Sequence, residues 1–169
     1  MKLQAGPIVG NIRRYFEPGA VYFVTNVTYK RKVLFTEEKA INLLLLTIEY
    51  LKLSLDYKIF AFCILPEHIH FIIQPFGKYS LSYIMQMVKG NFSRRFNKMH
   101  DSTGHIWQRR FYDEGIRDDG MLISKIEYIH NNPLKHGVVV DIDKFKHSSY
   151  QHYFNSKTCL LKIDSIDIS

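Results

Sequence analysis

The feature that most constrains the fold is a nearly unbroken apolar run of nine residues at 57–65 (YKIFAFCIL). Its length and its aromatic and β-branched content are typical of a strand in the middle of a sheet. Pro66 and Glu67 then indicate a turn, after which residues 68–74 (HIHFIIQ) form a second strand. The pattern predicts that these two strands lie side by side at the centre of the fold.

The remaining elements are predicted from periodicity and from helix-capping residues. Residues 21–28 and 111–116 are typical of strands. Three helices are predicted: from an N-cap at Thr36 to about Leu53, from Ser80 or Ser82 to about Met99, and from Asp118 or Asp119 to about Asn132. The last helix is expected to end there because a proline, Pro133, disfavours helical geometry in the residue before it. This order predicts an α+β fold, a ferredoxin-like antiparallel sheet with helices on one face.

Composition limits the class of protein. With 169 residues and 46% hydrophobic content, the chain is expected to form one domain, with a basic arm at 1–20 and a tail at 138–169 that packs on the domain. The net charge of +7 favours an anionic partner. The two cysteines, Cys63 and Cys159, have no zinc or redox spacing. The most apolar stretch, 41–53, is too short to span a bilayer. We therefore expect a cytoplasmic protein with no membrane partner.

His68 and His70 are the first candidate site residues. Being two apart on a strand, they project from the same face of the sheet. Two neutral imidazoles so placed can share one divalent ion. Eight histidines in 169 residues produce roughly 0.4 such pairs by chance. A pair of hydrogen-bonded core histidines is therefore an equally good interpretation of this pattern.

Tyr128 and Asn132 share one face near the end of the third helix, because they are four residues apart. Asn132 can offer an amide oxygen to a hard cation, and Tyr128 can offer a phenol to a substrate held there. On spacing alone, a core tyrosine and a helix-ending asparagine explain the pattern better. His130 and His136 flank the pair. Either could serve as a third ligand or as a proton acceptor, or could have no role in the site, and spacing does not choose among these roles.

Basic residues indicate where a nucleic acid could bind. Several follow one another on the second helix and beyond it, interleaved with aromatic residues, as in a groove that neutralises phosphates and stacks bases. The alternative is a solvated surface above a core of aromatics. The candidate DNA-binding residues are Arg14, Lys89, Arg94, Arg95, Arg109, Arg110 and Arg117.

Taken together, these segments resemble the REP-associated tyrosine transposases, a branch of the single-tyrosine, His-hydrophobic-His transposases of small insertion sequences. The resemblance rests chiefly on 65–70 (LPEHIH) and 128–137 (YIHNNPLKHG). Further matches are 14–16 (RYF), 18–22 (PGAVY), Lys89, 96–97 (FN), 107–108 (WQ), 110–112 (RFY) and 148–150 (SSY). The matches span about residues 13–153 in the right order, so the joint pattern is more specific than any of its parts.

The resemblance implies a function and roles for the candidate residues. His68, His70 and Asn132 are expected to bind Mg²⁺ or Mn²⁺, with Asn132 where insertion-sequence relatives usually carry glutamine. Tyr128, on a C-terminal helix, is expected to attack the DNA backbone and form a 5′-phosphotyrosine. A nearby cation or His130 could help remove its proton. Such an enzyme would nick and rejoin single-stranded hairpin DNA.

Two other functions remain open at this point. The first is a binding module, a descendant that grips hairpin DNA or RNA without cleaving it. The second is a metal-dependent hydrolase that uses water, which would need the histidines but not Tyr128. No protein partner is implied. A monomer acting in cis is favoured, because the turn at about 117–120 is short and the residues beyond Gly137 carry apolar surface that could hold the helix on its own sheet.

Overall fold

The structure, a computed structural model, describes residues 19–155, 157, 159 and 161–166. The predicted arm at 1–20, with Arg14, lies outside these residues except for its last two. In chain order the elements are β1 (Val21–Val27), α1 (Glu38–Leu55), β2 (Tyr57–Leu65), β3 (His68–Pro75), α2 (Leu81–Met99), β4 (Tyr112–Ile116), α3 (Asp119–Lys135) and α4 (Tyr150–Asn155). The strands form one antiparallel sheet in the order β2-β3-β1-β4, which confirms the α+β class.

The predicted pair of strands, β2 and β3, forms a hairpin in which Leu65 pairs with His68. The prediction that 57–65 lies in the middle of the sheet is wrong, because β2 is the outermost strand. Its apolar run is buried because other segments cover both of its faces and its outer edge. A register shift between Ile59 and Ala61 leaves Phe60 without a partner. Such a bulge turns the following side chains to the opposite face. Both faces of the hairpin are apolar and buried, as expected for a strand that reads as a continuous hydrophobic run.

The helices occupy both faces of the sheet. α1 and α2 pack on the face that carries Ile69, Phe71 and Ile73, and together they form the larger core. α3 covers the other face, where its buried residues meet Phe23 and Ile72. The expectation of helices on one face is therefore wrong for α3. The physical reason is that the second face is also apolar and would be exposed to water without α3.

The helix ends differ from expectation at two places. Ser80 and Asp118 cap α2 and α3 as predicted, accepting from the backbone N–H groups of Tyr83 and Met121. Thr36 is not the cap of α1, which begins at Glu38 after an N-cap residue that makes no side-chain bond. α3 does not end at Asn132 but continues through Pro133 to Lys135. A proline so near the C-terminus removes only one helical hydrogen bond, a cost that the final turn can absorb.

The segment after α3 covers the outer edge of β2. The backbone N–H of Ile64 donates to the carbonyl of His147 at 2.8 Å, and that of Ser149 donates to Phe62 at 2.9 Å. Farther along, Asp164 and Ile59 exchange two bonds of 2.9 and 2.8 Å. These contacts satisfy backbone groups that an edge strand would otherwise leave open. Within the described ranges, the helices are too short or too polar to cross a membrane.

Candidate functional site

His68 and His70 project from β3 towards α3, as their spacing predicts. Their rings lie 4.9 Å apart between centroids, and both residues are about 95% buried. The residues between and after them, Ile69 and Phe71, face the opposite core. The alternation of the strand therefore places two imidazoles side by side in the narrow space beneath α3.

Each histidine is oriented through its Nδ1 atom. Nδ1 of His70 lies 2.8 Å from the hydroxyl of Thr25, which the pairing of β1 with β3 sets directly opposite. Nδ1 of His68 lies 3.0 Å from a carboxylate oxygen of Glu67. A partner on one ring nitrogen fixes the direction of the other, as second-shell groups do around bound metals. Both imidazoles therefore have a defined orientation.

Burial keeps both rings neutral. Loss of solvent, followed by the nearby His68, lowers the pKa of His70 to about 3. Burial also lowers the pKa of His68, although the Glu67 carboxylate opposes that change. At neutral pH both rings are therefore uncharged, which is the form that binds metal ions.

Tyr128 and Asn132 stand on α3 directly above the histidines. The Tyr128 ring packs edge-on against His70 at 5.8 Å and against Phe23 at 5.7 Å, and the residue remains 37% exposed. Asn132 is fully buried, and its Nδ2 donates to the carbonyl of Tyr128 at 2.6 Å. Lys135 lies one turn further along, with its Nζ 5.2 Å from the centre of the Tyr128 ring.

Two buried polar atoms of this site lack a hydrogen-bond partner among the described residues: Nε2 of His70 and Oδ1 of Asn132. The Asn132 amide nonetheless lies close enough to His70 to oppose part of the fall in its pKa. Unpaired buried polar atoms are costly, so a ligand that both atoms could bind would offset that cost. An imidazole nitrogen and an amide oxygen both suit a divalent cation.

The candidate ligand set therefore fits a cation by the chemistry of its atoms. It contains only two residues of the commonest ligand types, and no group of three or more His, Cys, Asp or Glu side chains in the described part of the chain could hold a metal ion. The third position thus depends on the amide of Asn132. His136 lies close by, with its ring 5.2 Å from that of His68, on the same side of α3 as Asn132.

The β4 edge supplies a second tyrosine and a carboxylate that the sequence did not single out as site residues. The hydroxyl of Tyr112 donates to Glu114 at 3.1 Å, and Lys125 donates to the same carboxylate oxygen at 2.6 Å. Burial and the Glu114 carboxylate raise the pKa of Tyr112. Tyr112 and Tyr128 both pack on Phe23, so two exposed phenols share one aromatic support. Only Tyr128 also contacts a candidate ligand.

His130 does not face this site. It is two residues from Tyr128 on a helix, so the two side chains point to different sides of α3. Nε2 of His130 bonds to the hydroxyl of Ser149 at 2.8 Å, and its ring packs among Tyr150, Tyr153 and Phe154. This environment makes His130 a packing residue beneath the C-terminal segment. The arrangement argues against its expected role as proton acceptor for Tyr128.

The predicted basic residues do not form one cluster. Lys89 is committed to the fold, because its Nζ donates to the carbonyls of Gln108 at 2.6 Å and Arg109 at 3.2 Å. It is therefore a structural link rather than an open phosphate contact. Arg109 and Arg110 are exposed in the segment that this lysine holds, just before β4.

The other described basic residues lie farther away. Arg94 and Arg95 are exposed on α2, in the helical layer opposite to α3. Arg94 donates to the side chain of Asn91 at 2.8 Å. Arg117 follows the far end of β4. It lies about 17 Å from Tyr112, since five residues separate the two and a strand rises roughly 3.4 Å for each residue. Of the exposed candidates in the described part of the chain, only Arg109 and Arg110 adjoin the end of the sheet that carries His68.

Comparison with known proteins identifies relatives of this arrangement. Residues 19–132 match the family described as transposase IS200 like. A Haemophilus influenzae protein assigned to the REP-associated tyrosine transposases is 32% identical over 152 residues, covering 84% of this chain and 86% of that protein. A REP-associated tyrosine transposase of Escherichia coli is 30% identical over 140 residues, covering 82% and 81%. A solved REP-associated tyrosine transposase bound to a REP hairpin superimposes with a TM-score of 0.73 at 25% identity, covering 95% of both chains.

Proposed function

The chain belongs to the IS200-like transposase family, and from that premise we propose that it nicks and rejoins single-stranded hairpin DNA through a covalent link at Tyr128. Its relatives in Haemophilus influenzae and Escherichia coli are REP-associated tyrosine transposases, and a solved member of that group is bound to a REP hairpin. Hairpin DNA is accordingly the substrate class that we propose here.

The observation that carries the proposal is the meeting of three groups under α3. Nε2 of His70 and Oδ1 of Asn132 are buried without hydrogen-bond partners among the described residues. The half-exposed ring of Tyr128 packs against His70, so its phenol lies at the rim of the same space. A buried pair of metal-type ligands beside an accessible nucleophile suits metal-assisted phosphoryl transfer to a tyrosine.

The residues divide the chemistry among them. His68, His70 and Asn132 would hold Mg²⁺ or Mn²⁺, and such an ion supplies Lewis-acid polarisation of the scissile phosphate. The phenol oxygen of Tyr128 attacks phosphorus, a new O–P bond forms, and the bond from phosphorus to the 3′ oxygen breaks. The leaving 3′ oxygen takes up a proton, and the phenol proton passes to water. The 5′ phosphate remains on Tyr128.

The phosphotyrosine keeps the energy of the broken bond. Attack by a 3′-hydroxyl on the same phosphorus reverses the step and joins DNA while Tyr128 regains its proton. The ammonium of Lys135 lies 5.2 Å from the centre of the Tyr128 ring, and a cation there would offset negative charge that develops during the reaction. Phe23 supports the ring from below and limits its movement, which holds the oxygen near one position.

A covalent adduct is the decisive test. Wild type, Tyr128→Phe and Tyr112→Phe are incubated with labelled hairpin DNA that carries single-stranded flanks, with Mg²⁺, Mn²⁺ or EDTA, and resolved on a denaturing gel. We expect adduct and cleavage in wild type and in Tyr112→Phe, and neither in Tyr128→Phe nor in EDTA. Tyr112→Phe is the matched control, because it removes a phenol from the same aromatic support.

The other outcomes identify the rival functions. Hairpin binding without cleavage in any metal would indicate a binding module. Metal-dependent cleavage that survives in Tyr128→Phe and leaves no adduct would indicate a hydrolase that uses water. An adduct in Tyr128→Phe would mean that another residue is the nucleophile.

A further inference from the structure

The loop that follows β1, residues 29–32, lies at the same end of the sheet as His68. Val27, the last residue of β1, pairs with His68, and the N–H of Thr28 donates to the carbonyl of Glu67 at 2.9 Å. On its other side, the N–H of Tyr29 donates to the carbonyl of Ile106 at 2.8 Å. The 29–32 loop is thus held between the turn that leads into His68 and the segment that leads to Arg109 and Arg110.

The 29–32 loop carries an exposed aromatic ring among cations. Tyr29 is 42% exposed, its ring centre lies 5.4 Å from that of His105, and Nζ of Lys30 lies 5.5 Å from the Tyr29 ring centre. An open aromatic face flanked by basic groups is the arrangement on which unpaired bases stack.

Charge around the loop is strongly positive. Lys30, Arg31 and Lys32 are consecutive and exposed. Glu67, which lies 3.7 Å from Arg31, already bonds to His68. Lys30 and Lys32 have no ion pair among the described residues. Two cations that the fold leaves uncompensated beside a nucleic-acid enzyme's site suit phosphates.

The loop also has a fixed shape. Lys30 and Arg31 both have φ of 53°, in the left-handed region that residues other than glycine avoid. Hydrogen bonds hold them there: Arg31 N–H to the Thr28 carbonyl at 3.0 Å, Lys32 N–H to the Tyr29 carbonyl at 3.2 Å, and the Thr28 hydroxyl to the Lys32 carbonyl at 2.7 Å. A preformed loop loses little freedom when a ligand binds.

We propose that the 29–32 loop binds the single-stranded DNA that flanks the cleavage point, with a base stacked on Tyr29 and adjacent phosphates on Lys30 and Lys32. The inference rests on the proposed function, because it names where that function's substrate lies. Arg109 and Arg110 extend the same basic surface beside β4. The bound DNA strand then runs past Glu67 towards the space between His68 and Tyr128.

The opposite end of the sheet provides a matched control. There Lys58 stands over the ring of Phe76 at 5.5 Å, and Lys78 over that of Tyr79 at 5.2 Å. Lys30→Gln/Lys32→Gln is therefore compared with Lys58→Gln/Lys78→Gln, and Tyr29→Ala with Tyr79→Ala. Arg31 is left in place, since it contacts Glu67 beside a candidate ligand. Tyr29→Phe and Lys30→Arg/Lys32→Arg are conservative variants that should behave like wild type.

Binding of fluorescent oligo-dT is measured by anisotropy in EDTA at several salt concentrations. The Lys30/Lys32 glutamine variant should lower the slope of log affinity against log salt by roughly 0.7 for each phosphate that it no longer neutralises. Tyr29→Ala should weaken binding roughly 5- to 100-fold and leave the slope unchanged. The Lys58/Lys78 variant and Tyr79→Ala should match wild type in both quantities.

Each contrary result has a distinct meaning. The inference would be overturned if the loop variants bound oligo-dT like wild type. It would also be overturned if affinity fell equally for variants at both ends of the sheet, or fell only in the Lys58/Lys78 set. Tighter binding of oligo-U RNA than of oligo-dT would replace DNA by RNA as the ligand. Loss of binding in the loop variants together with a wild type that forms no adduct would leave the binding surface standing and remove the proposed cleavage alone.

Discussion

Acidification is expected to destabilise the fold through His130, a histidine outside the proposed active site. His130 is only 2% exposed, and within the described residues its side chain makes one hydrogen bond, from Nε2 to the hydroxyl of Ser149. Nδ1 has no hydrogen-bond partner among the described residues. An imidazolium has two N–H donors, so protonation would bury a charge and leave one donor unpaired. This burial lowers the pKa of His130 to about 4.

The size and direction of the effect follow from that pKa. An unfolded histidine titrates near 6.5, so between about pH 6.5 and pH 4 the unfolded chain binds the proton and the folded protein does not. Stability is therefore complete above pH 6.5 and falls as the pH drops towards 4. From the difference between the two pKa values, protonation of His130 lowers the free energy of unfolding by about 2 kcal/mol at pH 5 and by about 3 kcal/mol at pH 4.

Urea unfolding of wild type and His130→Gln between pH 7.5 and pH 4 isolates this contribution, because other buried histidines titrate equally in both proteins. Glutamine can still bond to Ser149 but binds no proton. We expect wild type to be the more stable protein at pH 7, and its advantage to shrink by about 2 kcal/mol at pH 5. His152→Gln, which changes an exposed histidine of α4, is the control, and its free energy of unfolding should vary with pH as that of wild type does. If the free energy of unfolding varies with pH in the same way for wild type and His130→Gln, the reasoning is refuted.

Two further predictions concern the proposed site. Calorimetric titration with Mn²⁺ should show no binding to His70→Ala. In Thr25→Val, binding should be weakened roughly 10- to 100-fold, because the Thr25 hydroxyl orients Nδ1 of His70. Wild-type affinity for Mn²⁺ in Thr25→Val, with an unchanged melting temperature, would remove Thr25 from the site. We also predict that Tyr128 serves the ligands of its own chain, since α3 is packed on its own sheet, so that Tyr128→Phe and His68→Ala refolded together should not regain cleavage. Adduct formation in that mixture would mean that the tyrosine acts in trans.

Local sequence patterns predicted several elements of the fold. The apolar run at 57–65 and the His68–His70 pair were predictable, because strand alternation depends only on the neighbouring residues. The caps Ser80 and Asp118 were predictable for the same reason. The side of the sheet that α3 covers was not, since that choice depends on which apolar face remains open after α1 and α2 have packed. A continuous apolar run indicates two buried faces, and that signal could have placed α3 correctly.

The partners of the histidines lay beyond sequence reasoning for a different reason. Thr25 meets His70 only through the register of β1 against β3, and 45 residues separate the two in the chain. No periodicity in either strand specifies that register. Glu67 directly precedes His68, so a carboxylate next to a candidate ligand was visible in the sequence. Its orientation depends on the turn between β2 and β3, which the sequence identifies without defining its geometry.

The continuation of α3 past Pro133 shows how a misjudged helix end also hides functional groups. A proline disfavours helix in the preceding residue, but the cost is tolerable where few helical bonds remain and other groups compensate. Here the turn beyond the proline is closed by other bonds, because the N–H of His136 donates to the carbonyl of Asn132 at 2.9 Å and the N–H of Val138 donates to the carbonyl of Pro133 at 2.8 Å. The added turn brings Lys135 to the Tyr128 ring and His136 to within 5.2 Å of His68. A helix that ended at Asn132 would direct both side chains elsewhere, so the cation beside the proposed nucleophile depends on this tolerated proline.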